Sequence, residues 1–530
     1  MKQMNQAAAW LTCSIAANGA RSQACGGRLA IRKLIALLVA FHAAILASPA
    51  EPLFSREGLP TPQAVQAILL LQGADAKGLD PAEYDAPLWA GRVAALAAPD
   101  RAAAAARFDA ELAGTLARYA AALHHGRVDP RSIGIDLEFA KERVDVDALV
   151  REAAVAPDVA DLLARVEPRH RGYARLLAAL ERYRALALAG PLPYLPEVRK
   201  LEPGGTYPAL DALADALIRL GDLAEADRPP PGATRYAGAV VEGVRRTQSR
   251  HGLAQDGILG PKTIGALSLP LAARVRQIEL TLERWRWTPS RADQPRIVVN
   301  IPEFRLRAYD EEGRVALSSE VVVGRAYRHQ TPVFAGLMRT VVFHPFWNVP
   351  VGITRRELLP GLAKSPRTLA AGDYEIVTPR GALSADGPLA ATTLRALRSG
   401  AFTLRQRPGA KNALGRVKFL FPNDYDVYLH DTPARVLFSR SRRDFSHGCI
   451  RVNAADELAV WVLREHPELG PEAVRAALDA PETREVTLPR PIPVLIVYGT
   501  VVVLDDGAVR FFDDLYGHDA ELDRALRERH

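Results

Sequence analysis

The stretch "FSHGCIRVN" (445–453), with "DVYLHD" (426–431) upstream, decides how the chain is read. The thiolate is the nucleophilic form of cysteine, and a free thiol supplies only a few per cent of it at neutral pH. A histidine within hydrogen-bond reach corrects this. His430 ends a strand-like segment, where side chains are held in fixed directions. Gly448, just before Cys449, lets the backbone approach a substrate closely. Asn453 is a candidate N-cap for a helix over 454–464. The nucleophile is therefore expected on a constrained turn shortly before a helix. Ser446 and His447 are adjacent in sequence, so they make no serine dyad with each other.

Around this stretch the pattern is β. "RIVVNIPEFRLRAYD" (296–310), "RVALSSEVVVG" (314–324) and "RTVVFHPFWNVP" (339–350) are rich in Val, Ile and aromatics and bounded by turns. The pattern resumes at "RVKFLF" (416–421), and "PVLIVYGTVVVL" (493–504) reads as a further strand pair. Residues 351–405 interrupt it with a helical insert, which Thr354-Arg355-Arg356-Glu357 opens as a capping-box signature. Trp285, Trp287 and Trp347 suit packing better than glycan binding.

Upstream, 60–228 is rich in Ala and Leu with helical spacing, as in "RFDAELAGTLARYAAAL" (107–123). "RPPPGATR" (228–235) reads as a linker. The unit 236–267 reads as helix, Asp256-Gly257 turn, then a helix with Pro261 in its first turn. "GILGPKT" lacks the spacing of a phosphate loop.

The chain of 530 residues suits two to four domains, and its 48% hydrophobic content suits packed cores. The net charge is +7, but residues 1–50 carry five basic and no acidic residues, so the remainder is only +2. No basic stripe supports nucleic-acid binding. Arg28, Arg32 and Lys33 followed by the apolar run Leu34–Leu46 and "ASPA" resemble an export signal. The alternative is an uncleaved membrane anchor, although a span needs about 20 apolar residues. Cys13 and Cys25 lie in this leader, so cleavage leaves Cys449 as the single thiol, free of any internal disulfide.

The spacing His430-x18-Cys449, ending in Ser-His-Gly-Cys, resembles the L,D-transpeptidase catalytic domain. "VGRAYRHQTPVF", "HPFWNVP" and "LHDTP" resemble segments of the same family, and "VRRTQSRHGLAQDGILGPKTIGAL" resembles its peptidoglycan-binding module. The resemblance implies an α+β multidomain chain. A leader (1–50) precedes an all-α scaffold (51–228) and a small helical peptidoglycan-binding module (236–270). A mainly β catalytic domain (295–530) follows, with a helical lid insertion at about 351–405. It implies Cys449 as the acylated nucleophile and His430 as base, oriented by Asp431 or by a nearby backbone carbonyl. His447 would line the site, and the Gly448 and Cys449 N–H groups would hold the oxyanion. Arg451 and Ser446 would meet substrate, Arg451 through a carboxylate. Peptidoglycan stem peptides and glycan are the implied partners, in the periplasm, with no metal or organic cofactor. The alternatives are a cysteine hydrolase of the same stems or of wall-protein linkages, and a wall-binding scaffold without activity.

Overall fold

The computed structural model describes residues 52–137, 144–288, 296–365, 367–383 and 389–528. The expected leader, with Cys13 and Cys25, lies outside the described residues.

The catalytic region is built on nine strands: β1 (Arg296–Asn300), β2 (Arg305–Tyr309), β3 (Val315–Gly324), β4 (Phe334–Phe343), β5 (Val417–Leu420), β6 (Leu429–His430), β7 (Asp444–Ser446), β8 (Ile450–Val452) and β9 (Arg484–Val497). Their order is β7-β3-β8-β6-β5-β4-β9-β1-β2, and β2 also pairs with β3, so the sheet closes on itself. Closure removes the exposed edge that an open sheet would present. Inside lies one apolar cluster, including Ile297, Val299, Val341, Phe343, Phe419, Leu429, Ile450 and Val494. The 296–310 stretch splits into β1 and β2 because Phe304 turns the chain at φ 54°. The 493–504 stretch is not a strand pair. Its first part belongs to β9, whereas Val501–Val503 pairs with Val509–Phe511.

The insert differs from its sequence reading in two ways. It is not purely helical: 347–348, 374–378, 381–383 and 403–406 form a four-stranded sheet, so it already begins at Trp347. It also has its own small core of Val349, Leu359, Leu362, Leu369, Ile376, Leu397 and Leu404. The capping box is absent. The helical run starts at Val351 with Pro350 before it, which leaves Thr354 inside the run, its hydroxyl donating to Val349 O at 3.5 Å. Thr354–Leu358 forms a π-helical turn.

The upstream region is helical apart from a two-residue ribbon, Ser55–Arg56 with Leu59–Pro60. In Arg101–His125, Phe108, Leu112, Leu116, Tyr119 and Leu123 recur at three- and four-residue spacing and are buried. Each such side chain stabilises by about 1.5–3 kcal/mol when removed from water. Asp100 caps the start through Ala103 N–H, and Gly126 at φ 80° ends the helix.

The 236–267 unit does not stand alone. Its buried Val240, Val244 and Ile264 share one cluster with Leu213 and Leu217 of Leu210–Leu220 and with Ile278 and Leu282 of Leu271–Trp287. Val501, Val509 and Phe511 from the C-terminal hairpin complete that cluster. The 228–235 segment is stapled rather than loose, since Tyr207 N–H donates to Thr234 O at 2.7 Å. Within the unit, buried Gln248 accepts from Gly257 N–H at 2.9 Å and donates to Ile258 O at 3.0 Å, which fixes the Asp256-Gly257 turn. Trp287 is buried in the sheet cluster and Trp285 packs beside His170, so both serve packing.

Candidate active site

Strands β6 and β8 run parallel, with Leu429 opposite Ile450 and His430 opposite Arg451. Leu429 and Ile450 point into the apolar interior and are fully buried. Side chains alternate along a strand, so Tyr428, His430, Cys449 and Arg451 share the other face. His430 and Cys449 are then diagonal neighbours, about 7–8 Å apart at the backbone and within side-chain reach. Lys418, opposite His430 on β5, joins the same face.

His430 is buried, and its Nδ1 donates to the backbone carbonyl of Asp431 at 2.5 Å. That bond fixes the tautomer and leaves the Nε2 lone pair as the basic site. Burial, then the Arg451 charge, lowers its pKa to about 3; the bond to Asp431 O opposes this and Lys418 adds to it. The imidazole is thus neutral at physiological pH. The Asp431 carboxylate does not orient the ring. It accepts from Arg416 N–H at 2.8 Å and from Arg435 at 2.6 Å. Of the two alternatives drawn from the sequence, the carbonyl is the one the structure places on the imidazole.

Cys449 is half-buried, and its thiol donates to Asp426 O at 3.6 Å. Burial raises its pKa above the ordinary thiol value, while the neighbouring Tyr428 and Arg451 work the other way. Trp347, in the insert's first strand, lies close to Tyr428, which brings the insert near the nucleophile.

The turn carrying Cys449 is held from within. Ser446 Oγ donates to Cys449 O at 2.5 Å and accepts from Gly448 N–H at 3.1 Å. Ser446 is buried and both of its bonds are spent on the turn, so it positions the nucleophile rather than meeting substrate. The Gly448 N–H is committed to Ser446, so of the two expected oxyanion donors it is not available in this state. Gly448 instead supplies a backbone at φ 118°, which side chains rarely adopt. Thr331 ties the turn to β3, donating to Gly448 O at 2.7 Å and accepting from Gly324 N–H at 2.9 Å. A Cβ at Gly324 would collide with the His329 carbonyl, so the His329–Thr331 loop crosses there only over glycine.

His447 lies at the rim. Its Nε2 donates to Glu357 Oε1 of the insert at 2.5 Å, and its ring sits 4.8 Å from that of His329. Arg451 is partly buried, and its Nε has no hydrogen-bond partner among the described residues. Burial and the nearby Arg325 lower its pKa. A cation of this kind beside a nucleophile suits an anionic substrate group. Asn453 does not cap the next helix, which spans Ala455–Val462. Its amide donates to Glu320 at 3.3 Å, and Ser319 Oγ instead accepts from Ala454 N–H at 2.9 Å.

Sequence reasoning missed Asp426, Tyr428, Thr331, His329 and Glu357. Tyr428 was legible, because it lies two residues before His430 in a strand and so shares its face. The others lie in stretches that stand out for different reasons, Glu357 as part of a capping box and His329 and Thr331 within a family segment, and nothing local marks them as site residues.

The L,D-transpeptidase catalytic domain pattern matches residues 294–503. Over that span the chain matches the L,D-transpeptidase catalytic domain family. Residues 47–180 match the scaffold domain and 206–267 the peptidoglycan binding domain, which therefore begins upstream of the 236 read from sequence. A protein of Haemophilus influenzae named as an L,D-transpeptidase is 32% identical over 232 residues, spanning 43% of this chain and 45% of that protein. An L,D-transpeptidase structure from Xylanimonas cellulosilytica (residues 123–326) shares 16% identity, covering 57% of this chain and all of that one. Its TM-score of 0.18 carries no argument about fold. Among the described residues, no helix is long and apolar enough to cross a membrane.

Proposed function

We propose that this chain is a periplasmic peptidoglycan L,D-transpeptidase that forms 3→3 cross-links through a thioester on Cys449. The observation that carries this reading is the diagonal placement of His430 and Cys449 on one face of paired parallel strands, with the imidazole neutral and its Nε2 unprotonated. His430 takes the thiol proton, and the thiolate attacks the carbonyl of the third stem residue. The C–N bond to the terminal D-alanine breaks, and the proton from His430 goes to the leaving amine. An acceptor amine from a second stem then attacks the thioester. Its proton passes to His430 and the thiolate is released. The Cys449 N–H, at the turn shaped by Gly448, is the proposed oxyanion donor, a contribution usually worth about 3–4 kcal/mol. Arg451 is proposed to hold a stem carboxylate. The insert is proposed to exclude water while the acceptor is positioned.

The test is mass analysis of muropeptides after incubation of tetrapeptide-containing peptidoglycan with the purified protein. The expected product is a 3→3 cross-linked dimer with release of D-alanine. Tripeptide without dimer, at saturating acceptor, would instead support a stem hydrolase. Neither product would leave the wall-binding scaffold.

A further inference from the structure

We propose that Glu357 is a positioning residue that holds the insert closed over the nucleophile turn by binding His447. The proposal rests on the transpeptidase reading and adds to it the residue through which the insert governs the site. Glu357 lies on the π-helical turn Thr354–Leu358, where an extra residue per turn changes the direction in which side chains leave the helix. Its carboxylate reaches across to His447 Nε2 at 2.5 Å, a side chain two residues from Cys449. Two residues before Glu357, Arg355 donates to Arg398 O and Ser399 O, at the end of the insert's Ala391–Ser399 helix. One turn of helix thus grips the insert's own body on one side and the catalytic turn on the other. The far end of the grip is firm, because Ser446 and Thr331 fix the backbone on which His447 sits. Arg356 and the His329 ring lie close to the same pair, which leaves Glu357 as the carboxylate facing two imidazoles and a guanidinium.

Both partners are accessible, Glu357 at 46% and His447 at 22% side-chain exposure, so the pair is a weak tether and not a lock. An exposed pair of this sort shifts a closed–open equilibrium by about two- to five-fold. That size suits a lid which must open each turnover. The experiment measures alkylation of Cys449 by iodoacetamide in the full chain, read from the mass of the Cys449 peptide. Its limiting rate at high pH separates access from thiol ionisation. Glu357→Ala is expected to speed alkylation about two- to five-fold with an unchanged Tm, and Glu357→Gln, which keeps an acceptor oxygen, to restore part of the protection. In a His447→Ala background, Glu357→Ala is expected to add nothing. The ratio of cross-linked dimer to free tripeptide should fall in Glu357→Ala. A wild-type alkylation rate in Glu357→Ala, or an equal acceleration with and without His447, overturns the proposal. Alkylation needs no stem peptide, so a failure of the transpeptidase reading would show as missing dimer in the wild type while the alkylation comparison still decides the role of Glu357.

Discussion

The closed sheet and the insert that interrupts it are built on different scales. The sheet surrounds an apolar cluster drawn from every strand but β7 and from the helices after them, and His430 and Cys449 stand on strands or turns locked to it. The insert has an apolar core of seven buried residues among those described, and a short four-stranded sheet of its own. It meets the residues around Cys449 through the Glu357–His447 contact, with Trp347 close to Tyr428. A cluster that is apolar within and polar at its boundary can shift as a body without exposing the larger core. The contrast teaches that the proposed nucleophile and base stand on the larger core, whereas the proposed control of what reaches them falls to the smaller one.

That division is broken most directly at the nucleophile. Cys449→Ala is expected to abolish cross-linking, and Cys13→Ala or Cys25→Ala to leave it unchanged, in a muropeptide assay. Activity surviving in Cys449→Ala would move the chemistry elsewhere. Next in size is His430→Ala, expected to slow acylation by about 10²–10⁴-fold. Asp431→Asn sharpens the same point. The backbone carbonyl holds the imidazole, so acylation should fall by less than about ten-fold, whereas a carboxylate acting on the ring would give the full loss of His430→Ala.

How much of this was legible in the sequence follows the same division. His430, Cys449 and the glycine between them were readable because strand period and turn chemistry are local. The sheet's strands were readable from β-branched runs, although the break at Phe304 was not, since nothing in its neighbours demands a left-handed turn. The insert was misread as helical. Its strands are three to five residues long, and one of its partners, Trp347–Asn348, lies outside the stretch that looked inserted. Ser446 was assigned to substrate because sequence shows that a hydroxyl is near the nucleophile but not which way it bonds. The shared core of 206–267 was invisible for another reason. Three of its members, Val501, Val509 and Phe511, come from more than 230 residues downstream, and periodicity carries no information at that range.

Smaller effects test the insert. Replacing 351–405 with a short Gly/Ser linker should leave Cys449 able to form an acyl-enzyme but shift products from dimer toward tripeptide at fixed acceptor concentration. An unchanged ratio in a folded variant would show that the small part does not control water. The mildest signature is the pH profile of Cys449 alkylation. Burial raises the thiol pKa, so the thiolate is disfavoured at neutral pH and the rate should climb with pH past the ordinary thiol range. Burial and Arg451 depress His430 to about 3, so its protonation should add no inflection between pH 5 and 8. An inflection near pH 6.5 that vanishes in His430→Ala would mean the imidazole is far more open to water than its place on β6 implies.

The C-terminal hairpin has a mechanical consequence. After β9 the chain leaves the sheet, and Val501, Val509 and Phe511 sink into the cluster that also holds the 206–267 helices. Phe511 rests 5.0 Å from the Tyr183 ring and 4.7 Å under Arg274, while Gln277 grips Phe512 O at 2.8 Å. The 206–267 helices and the sheet are thus joined both by the chain that runs between them and by this packed hairpin. A load on one region is carried by both joints in parallel and cannot swing the other about a single hinge. The span from those helices to the Cys449 thiol is set by the fold, like the throat of a clamp.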